Sequence, residues 1–285
     1  MIVARVPAST ANLGPGFDAL GMALSIDAEI GVGEPPDQSA AAADERHPAM
    51  VAFAHGGGEG RVWVRSSIPV GRGLGFSAVM RVGGLLAAAA QRDTTGADRL
   101  ALLAAAIELE GHADNAAASL FGGVVATAGG AVVPVRLAVE PSVVVWVPAM
   151  ATSTRRSRAT LPATVSFGDA AFNVGRTALL VAALAAGDIV SLRTATEDRL
   201  HQDVRFAASV PSRLALAVGL EAGAWAGWLS GSGPAVALLC ASADAERVAA
   251  ALTEAVEDGH ALVTTVDHTG ATVEDRTPPG DRDER

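Results

Sequence analysis

Apolar and polar residues alternate over Arg61-Val-Trp-Val-Arg65, and that period of two predicts a strand. Residues 2–6 and 22–32 also read as strands. Between them, residues 7–18 are too rich in Gly, Pro and Asn for a helix and predict a shaped loop. Residues 33–60 read as a loose excursion. Helical runs are predicted over 77–91 and 98–110, with a third starting near Asp114, and residues 124–147 hold two or three strands. The second half reads as helices over 169–186 and 189–200. A glycine turn at 227–234 then leads into a strand over 235–241, a helix over 244–257 and a strand over 261–267. Strand, helix and strand after a glycine turn make a compact α+β unit. The polar residues 271–285, with Pro278, Pro279 and Gly280, predict a frayed tail.

Composition narrows this picture. The chain has 285 residues, half of them hydrophobic and 18% charged, enough for one or two folded domains. A net charge of -10 argues against a polyanion partner, so no nucleic acid is expected. The single cysteine, Cys240, excludes an internal disulfide and sits in an apolar run, which predicts core packing. The N-terminus lacks a signal-peptide core and no run approaches a membrane span, so a soluble cytoplasmic protein is expected. All 21 basic residues other than histidine are arginine. The absence of lysine excludes a Schiff-base enzyme, the Gly-Lys-Ser/Thr phosphate loop and the protein-kinase strand lysine. Phosphate here must be held by amides, arginines, helix ends and metal.

Three segments carry candidate chemistry. The first is Pro69, Val70, Gly71, Arg72, Gly73, Leu74, Gly75, Phe76, Ser77 and Ala78, a glycine loop opening into a helix. Its glycines let the backbone approach a ligand, and the helix presents free N–H groups. A plain glycine turn with Ser77 as N-cap fits the spacing equally well. The dinucleotide fingerprint is not met, and a hydrolase with Ser77 as nucleophile and His112 as base lacks the final glycine of its elbow. The second segment runs Glu108-Leu-Glu110-Gly-His112-Ala-Asp114-Asn115. Glu108 or Glu110 suits Mg²⁺, while Asp114 reads equally as a helix cap. The third is Ser230-Gly-Ser-Gly-Pro234, a turn at the entry to a strand. Arginines cluster at 155–158 and 199–205, where a guanidinium fork suits a carboxylate.

Together these segments resemble the homoserine kinases of the galactokinase/homoserine kinase/mevalonate kinase (GHMP) superfamily. The run Val6-Pro-Ala-Ser-Thr-Ala-Asn-Leu-Gly-Pro-Gly-Phe-Asp-Ala-Leu-Gly resembles the first motif, residues 69–78 the second and residues 229–234 the third. The resemblance implies a two-domain α+β fold. An N-terminal nucleotide-side domain is expected at 1–150, a C-terminal ferredoxin-like sandwich at 151–270 and a flexible tail at 271–285. It implies ATP as phosphoryl donor, Mg²⁺ held by Ser77 and Glu108, and phosphorylation of L-homoserine in threonine biosynthesis. Asn12, Asp18 and Asn115 match the positions that hold the amino alcohol end. Arg158 and Arg205 match the pair that grips the carboxylate, and Thr154 lies near the reacting centre. Asn115 stands where mevalonate kinases carry an aspartate base, so no strong general base is expected. A homodimer is the assembly the resemblance suggests. One departure stands out: the second motif usually reads Gly-Leu-Gly-Ser-Ser-Ala, and Phe76 replaces its first serine. That leaves two alternatives open, a degenerate homologue without transfer and a kinase for another small amino or hydroxy acid.

Overall fold

The computed structural model describes residues 1–92 and 98–276. The strand β1 (Ile2–Ala11) pairs antiparallel with β2 (Leu20–Val32). After the two-residue β3 (Ala41–Ala42) and α1 (Pro48–His55), β4 (Val62–Ser66) joins the far side of β2. Next come α2 (Phe76–Gln91), α3 (Arg99–Glu110), α4 (Asp114–Phe121) and the hairpin of β5 (Val124–Ala128) and β6 (Ala131–Val135). The strand β7 (Ser142–Pro148) opens a second sheet. Five helices follow: α5 (Thr154–Ala159), α6 (Phe167–Ala186), α7 (Ile189–Ala195), α8 (Gln202–Ala207) and α9 (Val210–Glu221). The chain closes with β8 (Ala226–Leu229), β9 (Val236–Cys240), α10 (Ala245–Ala255), β10 (Gly259–Thr265) and β11 (Thr272–Asp275).

The first sheet runs β11-β1-β2-β4-β3, with β5 and β6 branching from β2. The second runs β10-β7-β9-β8, antiparallel throughout. Its strands and covering helices follow a ferredoxin-like β-α-β-β-α-β path, as expected. β7 lies before residue 150 yet belongs to this second sheet, and β11 lies after residue 270 yet completes the first.

The second sheet separates two cores because its strands are apolar on both faces. Val143, Val145 and Val147 point into the large core, shared with β1, β2 and α2. Val144 and Trp146 point the other way, against α9 and α10. Each such side chain contributes roughly 1.5–3 kcal/mol on full burial, so β7 is the seam that joins the two halves. Cys240 is buried in the second core, as its apolar run predicts. Eleven of the sixteen α2 residues are buried, which makes it the central helix.

Several expectations need correction. The loop expected at 7–18 is strand as far as Ala11, because a register shift between Pro7 and Ala8 accommodates the proline that cannot donate to the ladder. The excursion at 33–60 contains α1, whose entry Pro48 fits the first helical turn. The sequence reading did not identify α5, α8, α9 or β8. α7 ends at Ala195, five residues earlier than predicted. Residues 272–275 of the expected frayed tail are ordered as β11, which pairs with β1 from Ile2↔Asp275 to Arg5↔Thr272. Residues 277–285 of that tail lie outside the described residues. Finally, α6 is long and apolar enough to cross a membrane by length and composition, contrary to expectation. In the fold it packs against α7 and β6, with Leu180, Ala183 and Leu184 in the large core.

Candidate active site

A cleft of about 250 Å³ opens where the end of β1, the start of α2, the start of α4 and the turn before β9 converge. Glycine makes this convergence possible at two positions. Gly73 has φ +81°, and a Cβ there would lie 2.2 Å from the Ser230 carbonyl oxygen. Gly75 has φ +70°, and a Cβ would lie 2.3 Å from Ser9 Oγ. Both left-handed conformations and both close approaches exclude a side chain. The docked loop is held by Ser230 Oγ, which donates to Gly73 O at 2.7 Å, and by Ser9 N, which donates to Leu74 O at 3.3 Å.

The loop ends at Gly75, where α2 starts without a side-chain cap. The first-turn N–H groups and the positive end of the helix dipole therefore face the cleft, an arrangement suited to phosphate. Of the ten residues expected to hold nucleotide, Val70, Gly71, Gly73, Leu74, Gly75, Phe76 and Ser77 line the cleft. Pro69, Arg72 and Ala78 do not. Arg72 turns to the opposite side and donates to the carbonyls of Val70, Pro148 and Ala149, bracing the loop from behind. Ala78 is buried in the core. The Phe76 ring packs against the core and stands edge-on to His47, with centroids 6.3 Å apart. It forms part of the wall and leaves the cleft open.

The acidic residue beside Ser77 is Glu110, and Glu108 is displaced from the site. Glu108 is 71% exposed and pairs with His55 at 3.5 Å. Two residues on a helix span about 200°, so these two glutamates face opposite sides of α3. Ser77 Oγ donates to Glu110 Oε2 at 2.9 Å, and the guanidinium of Arg81 contacts the same oxygen. A hydroxyl and a carboxylate on facing helices form a hard oxygen set that suits Mg²⁺ alongside phosphates and water. Among the described residues there is no group of three or more His, Cys, Asp or Glu placed to hold a metal.

Across the cleft, the expected residues Asn12, Asp18, Asn115, Thr154, Arg158 and Arg205 come together, joined by Asp114 and His112. Asn12 and Asp18 both adopt positive φ, 68° and 56°. The Asn12 amide explains this strained turn. It donates to Gly231 O at 2.9 Å and accepts from Asp18 N at 3.0 Å, tying β1 to the turn before β9. Arg158 on α5 pairs with Asp18 at 2.6 Å. Arg205 on α8 donates to Gly231 O at 3.0 Å and to His201 Nδ1 at 3.0 Å. His201 is buried, and burial with the Arg205 charge holds its pKa below the ordinary value. It is therefore neutral and donates from Nε2 to Gly14 O at 2.8 Å. The Phe17 ring lies 5.1 Å from the Arg158 guanidinium carbon and 5.4 Å from that of Arg205, so one π face steadies two like charges.

Two features of this wall point to a charged ligand. The Nε atoms of Arg158 and Arg205 are buried without a hydrogen-bond partner among the described residues. Burial, then the neighbouring Arg158, brings Arg205 down to about 10. Asp114 is 3% exposed, and desolvation, opposed by the Asn115 N–H and reinforced by Asp18, pushes it up to about 6. Asn115 Oδ1 accepts from Ser9 Oγ at 3.0 Å and its Nδ2 donates to Asp114 Oδ1 at 3.5 Å, so one side-chain N–H is left for a ligand. Thr154 Oγ1 lies 3.3 Å from Ser232 Oγ, at the boundary between the phosphate loop and this wall. Sequence reasoning took Asp114 for a cap and passed over Arg81, His201 and Phe17. The burial that gives Asp114 and His201 their character is a tertiary property.

Comparison with known proteins agrees with this geometry. Residues 40–123 match the profile of the GHMP kinases N terminal domain, and residues 180–258 that of the GHMP kinases C terminal. The homoserine kinase of Moorella thermoacetica is 40% identical over 261 residues, covering 84% of this chain and 88% of that protein. That of Streptomyces avermitilis is 41% identical over 272 residues, covering 86% and 87%. Among solved structures, the homoserine kinase from Cytophaga hutchinsonii superposes with a TM-score of 0.83 at 24% identity, covering 96% of this chain and 97% of that one. The Methanococcus jannaschii mevalonate kinase gives 0.69 at 13% identity, covering 93% and 98%, a likeness of fold. The chain therefore belongs to the GHMP kinases and, within them, to the homoserine kinase family.

Proposed function

We propose that this protein transfers the γ-phosphoryl group of ATP to the hydroxyl of L-homoserine, giving O-phospho-L-homoserine and ADP. The carrying observation is the charge pattern of the wall facing the phosphate loop. Two arginines whose buried Nε donors have no partner among the described residues stand beside two carboxylates, Asp18 and Asp114. That pattern is complementary to a zwitterion. The α-carboxylate pairs with Arg158 and Arg205, restoring the donors whose isolation costs about 1–3 kcal/mol each. The ammonium lies against Asp18. The relatives named above as homoserine kinases support the same substrate.

With the charged end fixed, the side-chain hydroxyl reaches toward Asn115, whose remaining side-chain N–H orients its oxygen toward the phosphate loop. In the transfer that oxygen bonds to the γ-phosphorus, the bond to the β-phosphate oxygen breaks and ADP leaves. The hydroxyl proton passes to Asp114, the buried carboxylate next to Asn115, a departure from the expectation that the site has no strong general base. The transition state is loose, so positioning and charge stabilisation carry most of the rate. The loop amides, the α2 N-terminus and Thr154 supply the donors. Mg²⁺, held by Ser77 and Glu110, would neutralise phosphate charge when bound. Phe76 takes no part beyond the wall, which favours a working enzyme over a degenerate homologue. Threonine biosynthesis, a cytoplasmic setting and a homodimer are the context this reading carries with it.

Substrate analogues test the charge pattern. L-homoserine should be phosphorylated, whereas 4-hydroxybutyrate, lacking the ammonium, and L-homoserine amide, lacking the carboxylate, should each lose at least about tenfold in kcat/KM. Equal use of all three would reject the zwitterion site.

A further inference from the structure

Arg81 lies one turn beyond Ser77 on α2, so both side chains project from the same face of the helix. The Ser77 hydroxyl and the Arg81 guanidinium converge on one atom, Glu110 Oε2. The Arg81 and Glu110 side chains are only 22% and 16% exposed. Arg81 Nε is buried and has no hydrogen-bond partner among the described residues. A fixed cation with a spare donor thus occupies the carboxylate that Mg²⁺ would share, one helical turn from the uncapped N–H groups expected to meet phosphate.

We propose that Arg81 is a resident cation of the phosphate site. By neutralising Glu110 and lending positive charge to the bound phosphates, it makes nucleotide binding depend less on divalent metal. Two consequences follow from one arrangement. Without metal, the guanidinium supplies part of the missing positive charge, so nucleotide still binds. With metal, Glu110 is already paired and the gain from the ion is smaller, because Arg81 must yield or share the oxygen. Arg81 stands behind Glu110 and does not itself line the cleft; the effect is local, since the arginines that do line it, Arg158 and Arg205, stand on the opposite wall and are paired with Asp18 and His201. This inference rests on the kinase reading, and its test separates the two.

The test is calorimetric binding of a non-hydrolysable ATP analogue to the full chain, in Mg²⁺ and in EDTA, for the wild type, Arg81→Met and Arg81→Lys. The readout is the ratio of the two dissociation constants. Arg81→Met should widen that ratio by about tenfold, mostly through weaker binding in EDTA, the scale expected for losing one nearby charge in a partly desolvated site. Arg81→Lys should stay near the wild type. Glu110→Gln provides a second route that does not empty the arginine position. By freeing Arg81 for the phosphates, it should tighten binding in EDTA while weakening it in Mg²⁺. A ratio unchanged in Arg81→Met, or metal-free binding weakened in Glu110→Gln, overturns the inference and leaves the kinase reading intact. Failure of the wild type to bind nucleotide under either condition overturns both.

Discussion

Asp114 occupies the first turn of α4, almost wholly removed from water, with its pKa raised to about 6. Because the folded value lies above the ordinary 3.8, its stabilising contribution is complete below pH 3.8 and is lost as pH rises through about 6. Above that, the ionised carboxylate costs on the order of 3 kcal/mol. Asp114→Asn should therefore melt at a higher temperature than the wild type at pH 8 and show little gain at pH 4. Activity runs the other way. Protonated Asp114 accepts no proton, so the wild-type rate should fall below about pH 6. Asp114→Asn should be slow at every pH and lack that limb. A wild-type profile flat from pH 5 to 8 would remove Asp114 from the reaction. Arg158→Ala should raise the homoserine KM by at least about tenfold with little change for ATP, since it removes one carboxylate donor and leaves Asp18 unpaired. Glu110→Gln should weaken activity in Mg²⁺, whereas Glu108→Gln on the exposed face should stay within about twofold. At this scale the sequence was informative through its motif resemblance, which singled out Arg158, Arg205, Asn12 and Asp18, all of which line the cleft. It was ambiguous for Glu108 and Glu110, whose helix was legible but whose inward face depends on how α3 packs against α2.

The phosphate loop and α2 form the element on which the account rests. Its sequence predicted both the glycine turn and the helix start to within one residue, because glycine spacing followed by a run that is apolar but for Ser77 and Arg81 is a strong local signal. What it could not disclose is the partner of each glycine. Gly73→Ala would drive a Cβ into the Ser230 carbonyl and force a left-handed backbone, so the loop should leave the turn before β9. The expected outcome is loss of nucleotide binding in calorimetry with only a modest change in far-UV circular dichroism. The helices α5, α8 and α9 escaped sequence reading for a related reason. They are short or weakly patterned, and Arg205 of α8 and Ser212 of α9 find their partners, the carbonyls of Gly231 and Pro234, in the turn before β9. β1 continued past Pro7 because a bulge absorbs the proline, a remedy invisible in local propensity.

For the molecule as a whole, β7 and β11 tie the two halves together across the chain order. β11 pairs with β1 beside the N-terminus, and the preceding Ala271 carbonyl accepts from Arg99 at 3.0 Å. Ending the chain at residue 271 should lower the melting temperature by several degrees, as expected for removing an edge strand worth about 1–2 kcal/mol. Ending it at Arg276, which keeps β11, should leave the melting temperature unchanged. The ferredoxin-like half and the family were legible from motif order across the chain. The closing strand was not, because a four-residue polar strand resembles a tail until its partner is known. The central claim joins these scales: one wall holds an amino acid zwitterion, the other holds phosphate, and the cleft brings them together. It is tested most directly by ADP release from purified protein in MgATP, with L-homoserine set against L-threonine, L-serine and mevalonate. The account predicts release that depends on L-homoserine and is at least about tenfold lower with each of the others. Release independent of the acceptor, or strongest with mevalonate, would contradict it.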